Sequence, residues 1–231
     1  MLDAVIFDKD GTLFDFRRSW GAFTQSLLAE LADNAETARR LGQVLGYDTD
    51  SRQFTATSPV IAMSTPEIAA ILHPYLTGIS LAALTDRMSA LSAGAPMVPA
   101  VALREVLSGL KARGLRLGLA TNDTEMPARV HLQGAGVLDL FDYVVGCDSG
   151  FGGKPAPGQL NEFLRRFDLI AHRVAMVGDS RHDLVAGRAA GMHAVAVLTG
   201  IATADELAPH ADVVLTDIAG LAAWIDALAA V

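Results

Sequence analysis

The chain has 231 residues, 51% of them hydrophobic and 19% charged, which suits a buried core and excludes a disordered or fibrous protein. Its formal net charge of −8 argues against a nucleic-acid partner, because phosphate-backbone binding rests on clustered Lys and Arg. A single cysteine, Cys147, rules out an internal disulfide and a thiolate metal site.

The first apolar run, Ala4-Val5-Ile6-Phe7, is strand-length and ends at Asp8. No basic leader precedes it, and no apolar run is long enough to cross a bilayer, so the expected setting is cytoplasmic with no membrane partner. From about Arg17 to Leu91 the pattern changes, and no convincing strand occurs. Trp20, Phe23, Leu27 and Leu31 make one helical stripe, Ile68, Ile71, Leu72 and Tyr75 a second, and Leu81, Leu84, Met88 and Leu91 a third. Ala35 to Leu45 is a weaker fourth helix. This segment reads as an all-helical insert, bounded near Phe16 and near Ala93-Gly94-Ala95-Pro96, where small residues and proline mark a hinge-like linker.

Beyond the insert, strand-length runs return at Leu115 to Ala120, Tyr143 to Val145, Val174 to Val177, Ala194 to Leu198 and Val213 to Leu215. Helical stripes separate them, among them Leu103, Val106, Leu107 and Leu110, with Gly114 placed to stop that helix. Strands alternating with helices predict an α/β fold, a parallel sheet covered on both faces.

Chemistry-bearing residues gather at the ends of these strands. Asp8-Lys9-Asp10-Gly11-Thr12 follows the first. Two carboxylates on one Gly-containing turn repel each other unless a cation or a shared proton compensates; an Asp-rich turn chosen only for its shape is the alternative. Thr121-Asn122 closes the second sheet strand. Lys154-Pro155 follows the loop Gly150-Phe151-Gly152-Gly153, and Gly178-Asp179-Ser180-Arg181-His182-Asp183 closes the strand from Val174 to Val177. The carboxyl ends of parallel strands form one rim where ligands bind, so Asp8, Asp10, Thr121, Lys154 and Asp179 are expected together. A hydroxyl, an ammonium and several carboxylates suit a phosphate with a divalent cation between them. Ser180 and Asp183 also read as a capping box, leaving Asp183 in the metal shell, as a helix cap, or as both.

In order and placement these four elements resemble the haloacid dehalogenase superfamily, and the layout is most similar to its phosphoglycolate phosphatase-like members. The resemblance implies a Rossmann-like catalytic core from residues 1–15 and 97–231 and a helical cap domain from residues 16–96. It implies Asp8 as nucleophile, Asp10 as acid and base, and Mg²⁺ held by the Asp8 and Asp179 carboxylates with the Asp10 backbone carbonyl. Thr121, the Asn122 N–H and Lys154 would hold the phosphoryl group of a small phosphorylated metabolite. A phosphomutase of the β-phosphoglucomutase type would keep every core residue; a hydrolytic dehalogenase has no leaving alkoxide for Asp10 to protonate.

Outside that set, Lys9 is expected to turn away from the phosphate, His182 to lie on a loop, and Cys147 to be a semi-buried side chain without a nucleophile's role. Discrimination between esters has to come from the insert, where Arg17, Arg18 or Arg52 could reach a carboxylate or second phosphate on the substrate.

Overall fold

The computed structural model describes residues 2–55, 57–61 and 63–229. Strand β1 (Ala4–Phe7) is apolar at every position and wholly buried, as a strand covered on both faces must be. The insert follows. Its helices are α1 (Phe16–Leu31), α2 (Ala35–Val44), α3 (Thr65–Leu72) and α4 (Leu81–Ser92), and each begins with a side-chain cap, in α4 Ser80 accepting from the Ala83 N–H. Asp15 accepts from the Arg18 N–H, Asn34 from the Thr37 N–H, and Ser64 pairs with Glu67 in a capping box, each satisfying N–H groups that the helix leaves open.

The insert is not all-helical. Strands β2 (Tyr47–Asp48) and β3 (Gln53–Phe54) form a small antiparallel ribbon, with Tyr47 opposite Phe54. Two residues per strand are too few to show an alternating pattern. What holds the ribbon is specific: the Asp48 carboxylate accepts from the Asp50 N–H and the Ser51 hydroxyl, and the Tyr47 hydroxyl donates to the Gly21 carbonyl. Leu28, Leu41, Tyr47, Leu72 and Leu84 then close a core whose fully buried members all come from the insert, with Met97 and Ile201 packed against it from outside.

The remaining elements alternate. Helix α5 (Leu103–Ala112) leads to β4 (Arg116–Ala120), α6 (Glu125–Gly134) to β5 (Tyr143–Val145), and α7 (Gly158–Phe167) to β6 (Val174–Gly178). Helix α8 (Arg181–Ala189) leads to β7 (His193–Val197), the short α9 (Ala204–Leu207) to β8 (Val213–Leu215), and α10 (Leu221–Ala229) follows. Gly114 takes φ +82° just past α5, the left-handed position expected for a helix stop.

The six long-sheet strands are all parallel, in the order β5-β4-β1-β6-β7-β8. The chain runs outward from β1 in one direction and then in the other, so the switch in direction lies at β1, between β4 and β6. One face packs Val5, Phe7, Leu117, Leu119 and Val177 under α5, α6 and α10; the other packs Ile6, Ala120 and Met176 under α7 and α8. No described helix is long and apolar enough to cross a membrane.

Gly118 shows how tightly the second face is closed. A Cβ there would stand 3.0 Å from the Phe163 ring and 3.1 Å from Ile6. Gly118→Val should therefore destabilise the protein by about 1–3 kcal/mol, the usual cost of overpacking a filled core. Urea unfolding with an unchanged m-value would measure it, and wild-type stability would contradict this packing.

Candidate active site

The site is built at the carboxyl end of β1. The Asp8 N–H donates to the Val177 carbonyl at 2.8 Å, extending the ladder one residue and fixing Asp8 beside the end of β6. Asp179 follows that strand. Asp183, one turn into α8, caps the helix: its Oδ2 accepts from the Ser180 N–H at 3.0 Å and the Ser180 hydroxyl at 2.7 Å. Its other oxygen lies 2.7 Å from Lys154 Nζ, which also reaches Asp8 Oδ1 at 2.5 Å. Asp183 is thus both helix cap and partner of the site lysine.

Lys154 is aimed by Asn122. The Lys154 N–H donates to Asn122 Oδ1 at 2.8 Å, and Asn122 Nδ2 donates back to the Lys154 carbonyl at 2.9 Å. A Cβ on Gly153 would sit 2.9 Å from Asn122 Oδ1, so the glycine before Lys154 permits that clamp. Thr121 is also buried; its hydroxyl accepts from the Asp123 N–H at 3.1 Å.

Asp8, Asp179 and Asp183 are all buried, and each offers a carboxylate oxygen within 4.8 Å of the others. Burial pushes Asp8 up to about 7 despite the opposing pull of Lys154, with Asp183 and Asp10 adding to the rise. Burial, then Asp183 and Asp8, also hold Asp179 well above the usual carboxylate range. Lys154 is itself raised, its desolvation outweighed by Asp183 and Asp8. Three carboxylates against one ammonium leave an excess of negative charge in a dry place. An oxygen-only donor set of this charge suits a hard divalent cation. The backbone closes tightly on Asp179, since a Cβ on Gly11 or Gly200 would overlap its carboxylate.

Asp10 stands on the other side of the turn with different partners. Trp20 Nε1 of α1 donates to Asp10 Oδ1 at 2.8 Å, and Lys9 Nζ lies 3.1 Å from Oδ2. Lys9 has no exposed side-chain surface; it also reaches Asp123 Oδ2 at 2.8 Å and His131 Nδ1 at 2.9 Å. His131 Nε2 faces the Ser92 carbonyl at 2.8 Å. A carbonyl can only accept, so Nε2 carries the proton and Nδ1 accepts from Lys9. Burial, then Lys9, lowers the imidazole below its ordinary value, which keeps it neutral.

A cavity opens above this floor, beneath the insert. Asp8, Asp10, Thr121, Asn122 and Asp123 line its base, and side chains of α1, α3 and α4 line its walls.

Comparison with known proteins places these features. The family model for haloacid dehalogenase-like hydrolases matches residues 2–191. The chain belongs to that family. A phosphoglycolate phosphatase of Rhodospirillum rubrum is 34% identical over 97% of this chain and 91% of its own length. Another from Neisseria gonorrhoeae is 28% identical over 86% and 81%. Among solved structures, CbbY from Rhodobacter sphaeroides, in complex with phosphate, superposes with a TM-score of 0.71 at 22% identity, covering 96% of each chain. That last likeness is one of fold. As a phosphoglycolate phosphatase-like member of this hydrolase family, the chain is a phosphoric monoester hydrolase.

The hydrolase brings Asp8, Asp10, Thr121, Asn122, Lys154, Asp179 and Asp183 to one rim. Other residues fall differently from expectation. Arg17, Arg18 and Arg52 are exposed and line no part of the cavity; helix α1 turns its apolar stripe inward, which sends Arg17 and Arg18 out, and Arg52 lies in the turn between β2 and β3. His182 lies in the first turn of α8 and not on a loop. Cys147, by contrast, is half-buried as expected, and burial pushes its thiol up to about 12, far from a nucleophile's range. Lys9, Asp123, His131 and Trp20 were not singled out as a group. Their signal was the lysine itself: a cation inside a strand-end motif must find carboxylates, and Asp123 lies on the neighbouring strand-end loop.

Lys9→Met should cost about 3 kcal/mol or more, because buried Asp123 and half-buried Asp10 would lose their cation. The double variant Lys9→Met/Asp123→Asn should recover part of that loss. A double-mutant cycle by denaturant unfolding reads the coupling; strictly additive effects would rule out the buried pairing.

Proposed function

We propose that the protein is a Mg²⁺-dependent phosphomonoesterase for a small soluble ester, working through an aspartyl-phosphate on Asp8. Residues 1–15 and 97–231 would form the catalytic core and residues 16–96 the cap. The observation that carries this reading is the contact of Lys154 with both Asp8 and Asp183, with Asp179 beside them. Lys154 aims the Asp8 carboxylate and pulls against the burial that raises it, and a divalent cation beside it would complete the ionisation a nucleophile needs.

In this scheme an Asp8 oxygen attacks phosphorus, and the bond from phosphorus to the ester oxygen breaks. Asp10 gives its proton to the departing oxygen. A water then attacks the aspartyl-phosphate while Asp10 takes up one of its protons, and the Asp8–phosphorus bond breaks to release inorganic phosphate. The Thr121 hydroxyl and the Asn122 N–H would hold phosphoryl oxygens, and Lys154 would balance charge shared by Asp8 and the phosphoryl group. The Asp8 and Asp179 carboxylates and the Asp10 carbonyl would hold Mg²⁺, with Asp183 behind them through Lys154. The ion would supply charge neutralisation and polarisation at the phosphoryl oxygens.

A phosphomutase is less well supported, because its intermediate carries a second phosphate and no Lys or Arg lines the cavity among the described residues. Asp10, in reach of a leaving oxygen, weighs against a dehalogenase.

Asp8→Asn should abolish release of inorganic phosphate from a panel of small esters while circular dichroism stays native. Chelation should silence the wild type, Mg²⁺ should restore it, and Ca²⁺ should not, since its longer, looser coordination misplaces the attacking oxygen. Turnover by folded Asp8→Asn protein would refute the covalent route, and full activity after chelation would refute the metal.

Asp10→Asn should slow turnover by roughly 10²–10⁴, the range of a positioned acid–base group. The loss should shrink for p-nitrophenyl phosphate, whose leaving group needs little protonation. Equal losses on good and poor leaving groups, with chemistry rate-limiting, would remove Asp10 from that role.

A further inference from the structure

The walls of the cavity are apolar. Trp20, Phe23 and Leu27 come from α1, Ile61 from the segment before α3, Ile68 from α3 and Met88 from α4. The phosphoryl-binding groups lie at the base, so a bound ester must present its phosphate downward and the rest of its atoms to these walls.

The charges point the same way. Among the described residues, the charged groups lining the cavity are all aspartates: Asp8, Asp10 and Asp123. The two nearby ammonium groups are already engaged, Lys9 with Asp10 and Asp123 and Lys154 with Asp8 and Asp183. Polar wall groups are largely engaged as well. The Thr65 hydroxyl donates to Asp123, the Ser92 hydroxyl to the Ser89 carbonyl, and the Trp20 N–H to Asp10. A carboxylate or second phosphate placed here would lose water beside these aspartates and gain no side-chain cation. An apolar group would instead be stabilised by about 25 cal/mol for each Å² it buries.

We propose that the leaving group of the natural substrate is apolar, an alkyl or aryl alcohol bearing one phosphate and no second charge. This rests on the phosphomonoesterase reading and narrows its substrate class away from the carboxylate-bearing ester named for the bacterial relatives.

The test compares alkyl esters of similar intrinsic reactivity with the Mg²⁺-loaded wild type: n-butyl phosphate and 2-phenylethyl phosphate against phosphoglycolate and glycerol 3-phosphate. The apolar pair should lead in kcat/KM by about tenfold or more. In parallel, phenylphosphonate and phosphonoacetate, which cannot be hydrolysed, are titrated against Trp fluorescence, and phenylphosphonate should bind at least about tenfold tighter. Ile68→Arg, which sets a cation in the wall, should shift the phosphoglycolate to 2-phenylethyl phosphate ratio at least about tenfold toward phosphoglycolate. If phosphoglycolate or glycerol 3-phosphate leads and phosphonoacetate binds tighter, the apolar assignment is overturned while the phosphatase stands. If no ester is turned over, the catalytic reading fails, and the phosphonate titration alone decides whether the cavity selects apolar groups.

Discussion

Lys154 lies between Asp8 and Asp183, and Lys9 lies between Asp10 and Asp123, both with almost no exposed side-chain surface. Stripping water from an ammonium is costly unless carboxylates replace that water at hydrogen-bond distance. The two lysines therefore have to be bracketed, and the bracketing sorts the acidic groups into two sets. The set containing Asp8 faces the strand ends of β1 and β6; the set containing Asp10 faces α6 and the insert. Asp179 belongs to neither lysine's ion pairs among the described residues, so its charge is the one most in need of an outside cation.

Sheet topology makes this sorting possible. At the switch beside β1, the neighbouring strands β4 and β6 diverge in chain connection, and their loops leave a crevice. The crevice is narrow. Gly11 from the β1 turn and Gly200 from the loop after β7 both approach Asp179 so closely that neither position admits a Cβ. The Thr199 hydroxyl donates to the Gly11 carbonyl at 2.6 Å, tying the two loops together over that carboxylate. Gly11, at φ +80°, also takes a backbone conformation that other residues adopt only with strain.

The strand-end residues were legible in the sequence because period and position carry the information. An apolar run that ends at Asp8, Thr121 or Asp179 places that residue on the rim whatever the rest of the chain does. The Lys9 cluster had no such signal, since its hydrogen bonds span 114 and 122 residues of sequence, and nothing local in α6 marks His131 as a partner. Asp183 was ambiguous because both candidate roles use a carboxylate at the same helix position; its Oδ2 serves as the cap, while its Oδ1 pairs with Lys154. The arginines misled for a related reason. Their chemistry suited a second anion, but the stripe of Trp20, Phe23 and Leu27 decides which face of α1 turns inward, and Arg17 and Arg18 lie off it.

The partners of the two lysines also differ in origin. Lys154 is held by Asp8, Asp183 and Asn122, all outside the insert. The Lys9 side is tied to the insert by Trp20 on Asp10, by Thr65 on Asp123 and by the Ser92 carbonyl on His131, while Ser89 meets the adjacent Thr124. The Lys154 side of the site is therefore complete without the insert. Asp10, by contrast, takes one of its two oxygen partners from it. Trp20 contributes twice, its ring to the apolar wall and its N–H to the carboxylate below. In the proposed reaction, a leaving group entering along that wall would pass the Trp20 ring on its way to Asp10, so the side chain that shapes the cavity also helps to hold the proposed acid.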